Sequence, residues 1–150
     1  MPNLMNDQDM AIFEVECPFI QYPVPAAGTG VTQSETGIGI MGAGTLPIDL
    51  GSIIYHPSTA ITPSNTNYST LSVYKRTGTG GAVLLGSINN SVSLGNYFAG
   101  TWTAFLQVPL TLVPGAFVSP GDSITLAVAT TAGTGLSFPT GIVGVFAKGR

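Results

Sequence analysis

Residues 102–112 read Trp-Thr-Ala-Phe-Leu-Gln-Val-Pro-Leu-Thr-Leu, and every second position is apolar. Trp102, Ala104, Leu106, Val108, Leu110 and Leu112 fall on one face, opposite Thr103, Phe105, Gln107 and Thr111. A period of two belongs to a strand with one side turned to a core. Pro109 has no amide to donate. It therefore puts this stretch at a sheet edge or a bulge, or divides it into two strands with a corner between them.

The same period recurs on either side. Thr70–Arg76 sets Leu71 and Val73 against Ser72, Tyr74 and Arg76, and Thr77-Gly78-Thr79-Gly80-Gly81 reads as a hairpin loop into Ala82–Ile88. Pro120-Gly121-Asp122 supplies a turn before Ser123–Ala129, where Ile124, Leu126 and Val128 alternate with small or polar residues. A further strand runs from near Ile48 to His56, and a last one covers Ile142–Ala147. No stretch of a dozen residues keeps a helical period. Seven or eight short strands with frequent turn signals predict an all-β fold, an antiparallel β-sandwich with jelly roll as the expected topology. Alternation alone does not fix the strand order.

Upstream the texture changes. Six of the seven acids lie at or before Asp49, and all four bases lie at or after Lys75. Pro18, Pro23 and Pro25 punctuate the apolar stretches Ala11–Val15 and Phe19–Tyr22, and a Gly-rich bridge runs from Gly37 to Gly44. Proline disfavours helix at the preceding residue, so the segment is expected to be extended. The reading is an acidic N-terminal arm and bridge over 1–47, followed by a β-sandwich module over 48–150. The arm's Phe13, Phe19, Ile20 and Tyr22 are candidates to pack on another subunit, and Lys75 and Arg76 are a candidate acceptor for an acidic segment.

Composition narrows the function. Charged residues are 7% of the chain, against about 25% in ordinary soluble domains. A surface so poor in charge tends to associate, which points to an oligomer or a subunit of a larger assembly. Four bases do not make a phosphate-binding patch, so no nucleic-acid partner is expected. No apolar run approaches the ~18 residues of a membrane span. The N-terminus lacks the basic and apolar regions of a secretory signal, so synthesis in a cytoplasm is expected. The single Cys17 leaves no intrachain disulfide and no Cys-based zinc site.

The chemical motifs are weak. Gly37-Ile38-Gly39-Ile40-Met41-Gly42 matches the dinucleotide fingerprint in letters, yet Ser34-Glu35-Thr36 precedes it and Thr45-Leu46-Pro47 follows, where a strand and a helix are needed. The Gly-Thr-Gly triplets at 28–30, 78–80 and 133–135 lack the Lys of a phosphate loop. His56 and Cys17 are each the only residue of their kind, and a nucleophilic pair between them is the weakest reading. Asp122, in a turn, is expected to bond backbone amides. Tyr55, Tyr68, Tyr74, Tyr97 and Trp102 could include a sugar-stacking platform, although aromatics in a sandwich more often fill its core. No enzyme activity, cofactor or metal is expected.

Several phrases carry a resemblance. They are Tyr55-His56-Pro57 with Ala60-Ile61-Thr62, Thr66-Asn67 leading into Thr70–Arg76, Pro109–Leu112, Val118 with Gly121–Leu126, and Gly133-Thr134-Gly135 with Pro139 and Gly141. Over residues 51–147 the chain resembles small β-sandwich virion proteins of tailed bacteriophages, head decoration proteins above all. The resemblance implies a structural virion protein: a homotrimeric cement subunit on the capsid surface, bound to the major capsid protein and reinforcing the shell against internal pressure. The arm would then reach an adjacent copy or the capsid protein. The alternative is a fibre or tail-associated module that binds a host glycan.

Overall fold

The computed structural model describes residues 18–28, 30, 32, 35–42, 46–62, 64–91, 102–130 and 138–148. Its ten strands are β1 (Pro18–Val24), β2 (Thr36–Ile40), β3 (Ile48–Pro57), β4 (Ser69–Thr77), β5 (Val83–Asn89), β6 (Val108–Pro109), β7 (Thr111–Leu112), β8 (Phe117–Val118), β9 (Asp122–Thr130) and β10 (Gly141–Ala147). They form two antiparallel sheets. The first has the order β1-β10-β3-β6, with β8 also on β3, and the second has the order β2-β9-β4-β5-β7. The expected antiparallel sandwich is the fold observed.

The core lies between the sheets and follows the alternation. Ile53 and Tyr55 of β3, Leu71 and Val73 of β4, Ile124, Leu126 and Val128 of β9, and Val143 and Val145 of β10 are buried. Near one end sits an aromatic cluster. Tyr55 stacks on Phe138 with ring centroids 5.2 Å apart, and Trp102 meets both rings edge-on. The Tyr55 hydroxyl donates to the Pro139 carbonyl at 3.0 Å, and burial pushes its phenol well above the ordinary range.

Residues 102–112 do not form one continuous strand. Trp102 makes a two-bond bridge with Ile61, and the chain then turns through Thr103–Leu106. Strand β6 pairs with β3 in the first sheet, while β7 pairs with β5 in the second. Leu110 donates to Ile53 and Val113 to Leu85, so the corner lies between the layers, immediately after Pro109. The corner reading of Pro109 therefore holds. The single-face reading fails at Leu106, which is 59% exposed because it belongs to the turn.

The segment read as an arm also needs correction. From Pro18 onward its described part is extended, but it is built into the sandwich: β1 pairs with β10, and β2 pairs with β9. The boundary drawn at residue 47 therefore does not separate two structural units among the described residues. The physical reason is edge placement. Prolines and glycines that weaken an interior strand are tolerated in one that pairs on one side only. The fingerprint-like run is strand β2 itself, so it opens no helix. At Gly39 a Cβ would collide with the Ile20 side chain of β1.

Candidate functional site: an uncharged apolar face

The register of the first sheet sorts its outward residues. Pro23 lies opposite Ile142, which lies opposite His56; Gln21 lies opposite Gly144, which lies opposite Ile54, and Ile54 opposite Pro109. Phe146 covers the next row, its ring so close over Gly144 that a Cβ there would come within 2.9 Å of it. None of these outward residues is Asp, Glu, Lys or Arg. Ile142 is 52% exposed.

At the Pro57 end of this face the Thr103–Leu106 turn stands out. Its backbone is anchored by the Phe105 amide donating to the Pro57 carbonyl at 2.8 Å, and the Leu106 amide to the Thr103 carbonyl at 3.2 Å. Phe105 has φ 60° and is 75% exposed. Left-handed backbone is costly for a bulky residue other than glycine. The fold thus holds a phenyl ring in solvent at the expense of local strain. Beside it lies an open cleft of about 370 Å³ lined by Gln21, His56, Ser58, Phe105, Thr140, Gly141 and Ile142. The Ser58 and Thr140 hydroxyls bond each other at 2.6 Å, and the imidazole of His56 and the Gln21 amide are the other polar side chains lining the cleft.

The opposite sheet presents the contrary surface. Its outward positions on β4, β5 and β9 are Thr70, Ser72, Tyr74, Arg76, Leu84, Ser87, Asn89, Ser123, Thr125, Ala127 and Ala129, and Ile40 of β2, opposite Ser123, is 82% exposed. Small hydroxyl-bearing side chains dominate it, and such groups favour hydration. The two outer faces differ in charge, since this one carries Arg76 bonded to Glu35.

Four of the described charged residues, Glu35, Lys75, Arg76 and Asp122, have partners inside the chain. Lys75 and Arg76 point to opposite faces. Lys75 turns inward, its Nζ 3.9 Å from Asp122 Oδ2 and 3.5 Å over the centroid of the Phe117 ring. Asp122 is buried and also accepts from the Thr77 hydroxyl at 2.6 Å and the Ser119 amide at 2.8 Å. Burial alone would raise its carboxyl pKa, but the Thr77 and Ser119 hydrogen bonds, with Lys75, hold it below the ordinary value. The expected turn role of Asp122 is the observed one. Ser119–Asp122 closes with the Asp122 amide donating to Ser119 at 3.0 Å, Pro120 and Gly121 (φ 84°) taking its central positions.

Arg76 turns outward and grips Glu35 with two bonds of 2.7 Å, from Nε and Nη2. The Thr125 hydroxyl adds a third bond to the same carboxylate at 2.7 Å. Hydrogen bonds from Arg76 and then Thr125 hold the Glu35 pKa down to about 2. Arg76 therefore does accept an acid of the N-terminal segment, and here that acid belongs to its own chain.

Phe19, Ile20 and Tyr22 are half-buried against this chain's own core. Phe13 and Cys17 lie outside the described residues, as does Tyr97. Tyr55 and Trp102 are buried and cannot serve as a sugar platform, which removes two of the five aromatics proposed for one. Among the described residues no group of three His, Cys, Asp or Glu side chains could hold a metal ion, and no helix is long and apolar enough to cross a membrane. Sequence reasoning missed Phe105, because alternation placed it on the polar side of a strand. The Pro109 break was the signal that the run leading up to it need not be straight.

No protein-family model and no curated protein matches the sequence. Among solved structures, the fold is similar to a chain in the structure of infectious bursal disease virus, Gx strain, at 18% identity and a TM-score of 0.34, covering 84% of this chain and 31% of that one. A chain from the Gt strain of the same virus gives 15% identity and a TM-score of 0.32, with coverage of 85% and 28%. The chain spans less than a third of the length of either.

Proposed function

We propose that this chain is a structural virion protein without enzymatic activity, a decoration subunit that cements a bacteriophage head. The observation that carries the reading is the uncharged apolar face of the first sheet, mounted on a two-layer β body whose described charges are otherwise engaged or lie elsewhere. Such a face is built for protein contact. The resemblance to head decoration proteins falls on the end of β3, on β4, on the β6–β7 corner and on β9. The strand orders β1-β10-β3-β6 and β2-β9-β4-β5 support a jelly roll, since they place first beside last and second beside next to last, as nested Greek keys do.

In this role the subunit works by binding alone. Copies assemble, with a trimer expected, and engage the major capsid protein on the capsid surface. The acidic segment ahead of Pro18, with Phe13, adds reach toward a neighbour. Many modest contacts repeated over a shell sum to strong attachment. The test is to add the purified chain to heads that lack it, then count bound copies and follow shell rupture on heating. Saturable binding with a raised rupture temperature is expected. Absence of the protein from purified virions would refute the reading.

A further inference from the structure

We infer that the outer face of the first sheet packs against a second copy of this chain, with the Phe105–Leu106 turn of one copy seated in the cleft beside Gln21, His56 and Ile142 of the next. The inference rests on the assembly reading above and names the surface and the occupant.

Three observations converge on this occupant. The face carries both halves of a contact: a projecting phenyl ring, 75% exposed, and an open cleft of about 370 Å³ next to it. Identical copies can therefore satisfy each other, and such a knob-to-cleft contact closes a ring when its rotation allows. The second observation concerns charge. The chain has a formal net charge of −3, so contact between two copies is least opposed where the facing residues are uncharged. Of the described charged residues, Lys75, Arg76 and Asp122 belong to the other sheet, Glu35 lies just before its strand β2, and Asp49 and Lys148 lie at the far end of β3 and β10 from the cleft. The other five charged residues of the sequence lie outside the described residues. A partner of opposite charge gains nothing on this face, whereas an identical copy loses nothing.

The third observation is the backbone of Phe105. Its φ of 60° and the hydrogen bond to Pro57 set the backbone that carries the ring, so the point from which the ring projects is in place before any partner arrives. A preset aromatic anchor loses little freedom on burial, and aromatic anchors of this kind dominate contact energies.

The test measures the solution mass of the full chain over a wide concentration range, for wild type, Phe105→Asn and Ile142→Thr. Asn accepts left-handed backbone better than Phe, and Thr keeps a β-branched residue in the strand, so both variants are expected to keep the fold, checked by their β-sheet circular dichroism. The expected result is a wild-type mass that is a multiple of 15.3 kDa, with dissociation constants at least tenfold higher in both variants. A wild type that stays a single chain at every concentration overturns the inference, as do variants that assemble like wild type. If a single-chain wild type still binds heads and Phe105→Asn does not, the face belongs to the shell protein; the second-copy inference falls and the proposed function stands. If the variants dissociate but the wild-type protein is absent from virions, the contact stands and the proposed function falls.

Discussion

Gly141 opens β10 directly beneath the apolar cleft, and replacing it with alanine tests the packing of this end of the sandwich. A Cβ at this position would collide with the His56 carbonyl oxygen and the Tyr55 ring, lying 2.8 Å from Tyr55 Cζ. Neither neighbour can yield. His56 belongs to β3, which is held between β10 and β6, and the Tyr55 ring is wedged between Phe138 and Trp102. Overpacking of a tight core costs about 1–3 kcal/mol, and a clash with fixed backbone belongs at the top of that range. For a chain of this length about 3 kcal/mol lowers the melting temperature by roughly 6–12 °C. The control is Gly37→Ala in β2, where nothing lies within 4 Å of the added carbon; its stability is expected to stay within about 0.5 kcal/mol of wild type. Thermal melts followed by circular dichroism compare the two. A Gly141→Ala protein melting within about 2 °C of wild type would refute the geometry argued for this end of the sandwich.

Phe138→Ala removes the ring on which Tyr55 stacks and is expected to cost about 3–5 kcal/mol, read from urea unfolding. Asp122→Ala strips the Thr77 hydroxyl, the Ser119 amide and Lys75 of a shared acceptor and should cost about 2–3 kcal/mol in the same assay. For Glu35 the folded pKa, about 2, lies below the ordinary 4.5. Its stabilising share is therefore complete above the ordinary value and is lost as pH falls from there toward 2. The protection of β2 amides, taken as their exchange rate relative to an unstructured chain at the same pH, should fall over that interval in wild type, and a Glu35→Gln variant should show the lower protection already at neutral pH. Unchanged exchange in β2 for Glu35→Gln would show that the Arg76 grip does not hold this strand.

The interior strands were legible because each buries one face against an apolar core. Leu71 and Val73, Ile124 with Leu126 and Val128, and the turn at Pro120-Gly121 all sit where alternation and turn chemistry put them. Strands β1 and β2 were read as an extended arm and a Gly-rich bridge for a reason of the same kind. An edge strand needs fewer ladder bonds, so its sequence can carry Pro23 or Gly37 and Gly39, the residues that elsewhere mark loops. Phe105 was hidden because periodicity assumes a continuous backbone, and a four-residue turn resets the phase. The pairing of Glu35 with Arg76 depends on how distant strands come together, and no local pattern encodes it. The charge split along the sequence did hint that the two segments would meet.

Pro18 lies opposite Phe146 in the β1–β10 ladder, so the chain enters and leaves the described body at adjacent points. Both points are at the end of the first sheet remote from Phe105, about 17 Å away along β10 at the usual strand rise. A short linker joining residue 148 to residue 18 would therefore close the body into a loop that could be reopened at the Thr77–Gly81 hairpin. Labels attached at residues 18 or 148 should also project from that shared corner and leave the phenyl end unobstructed.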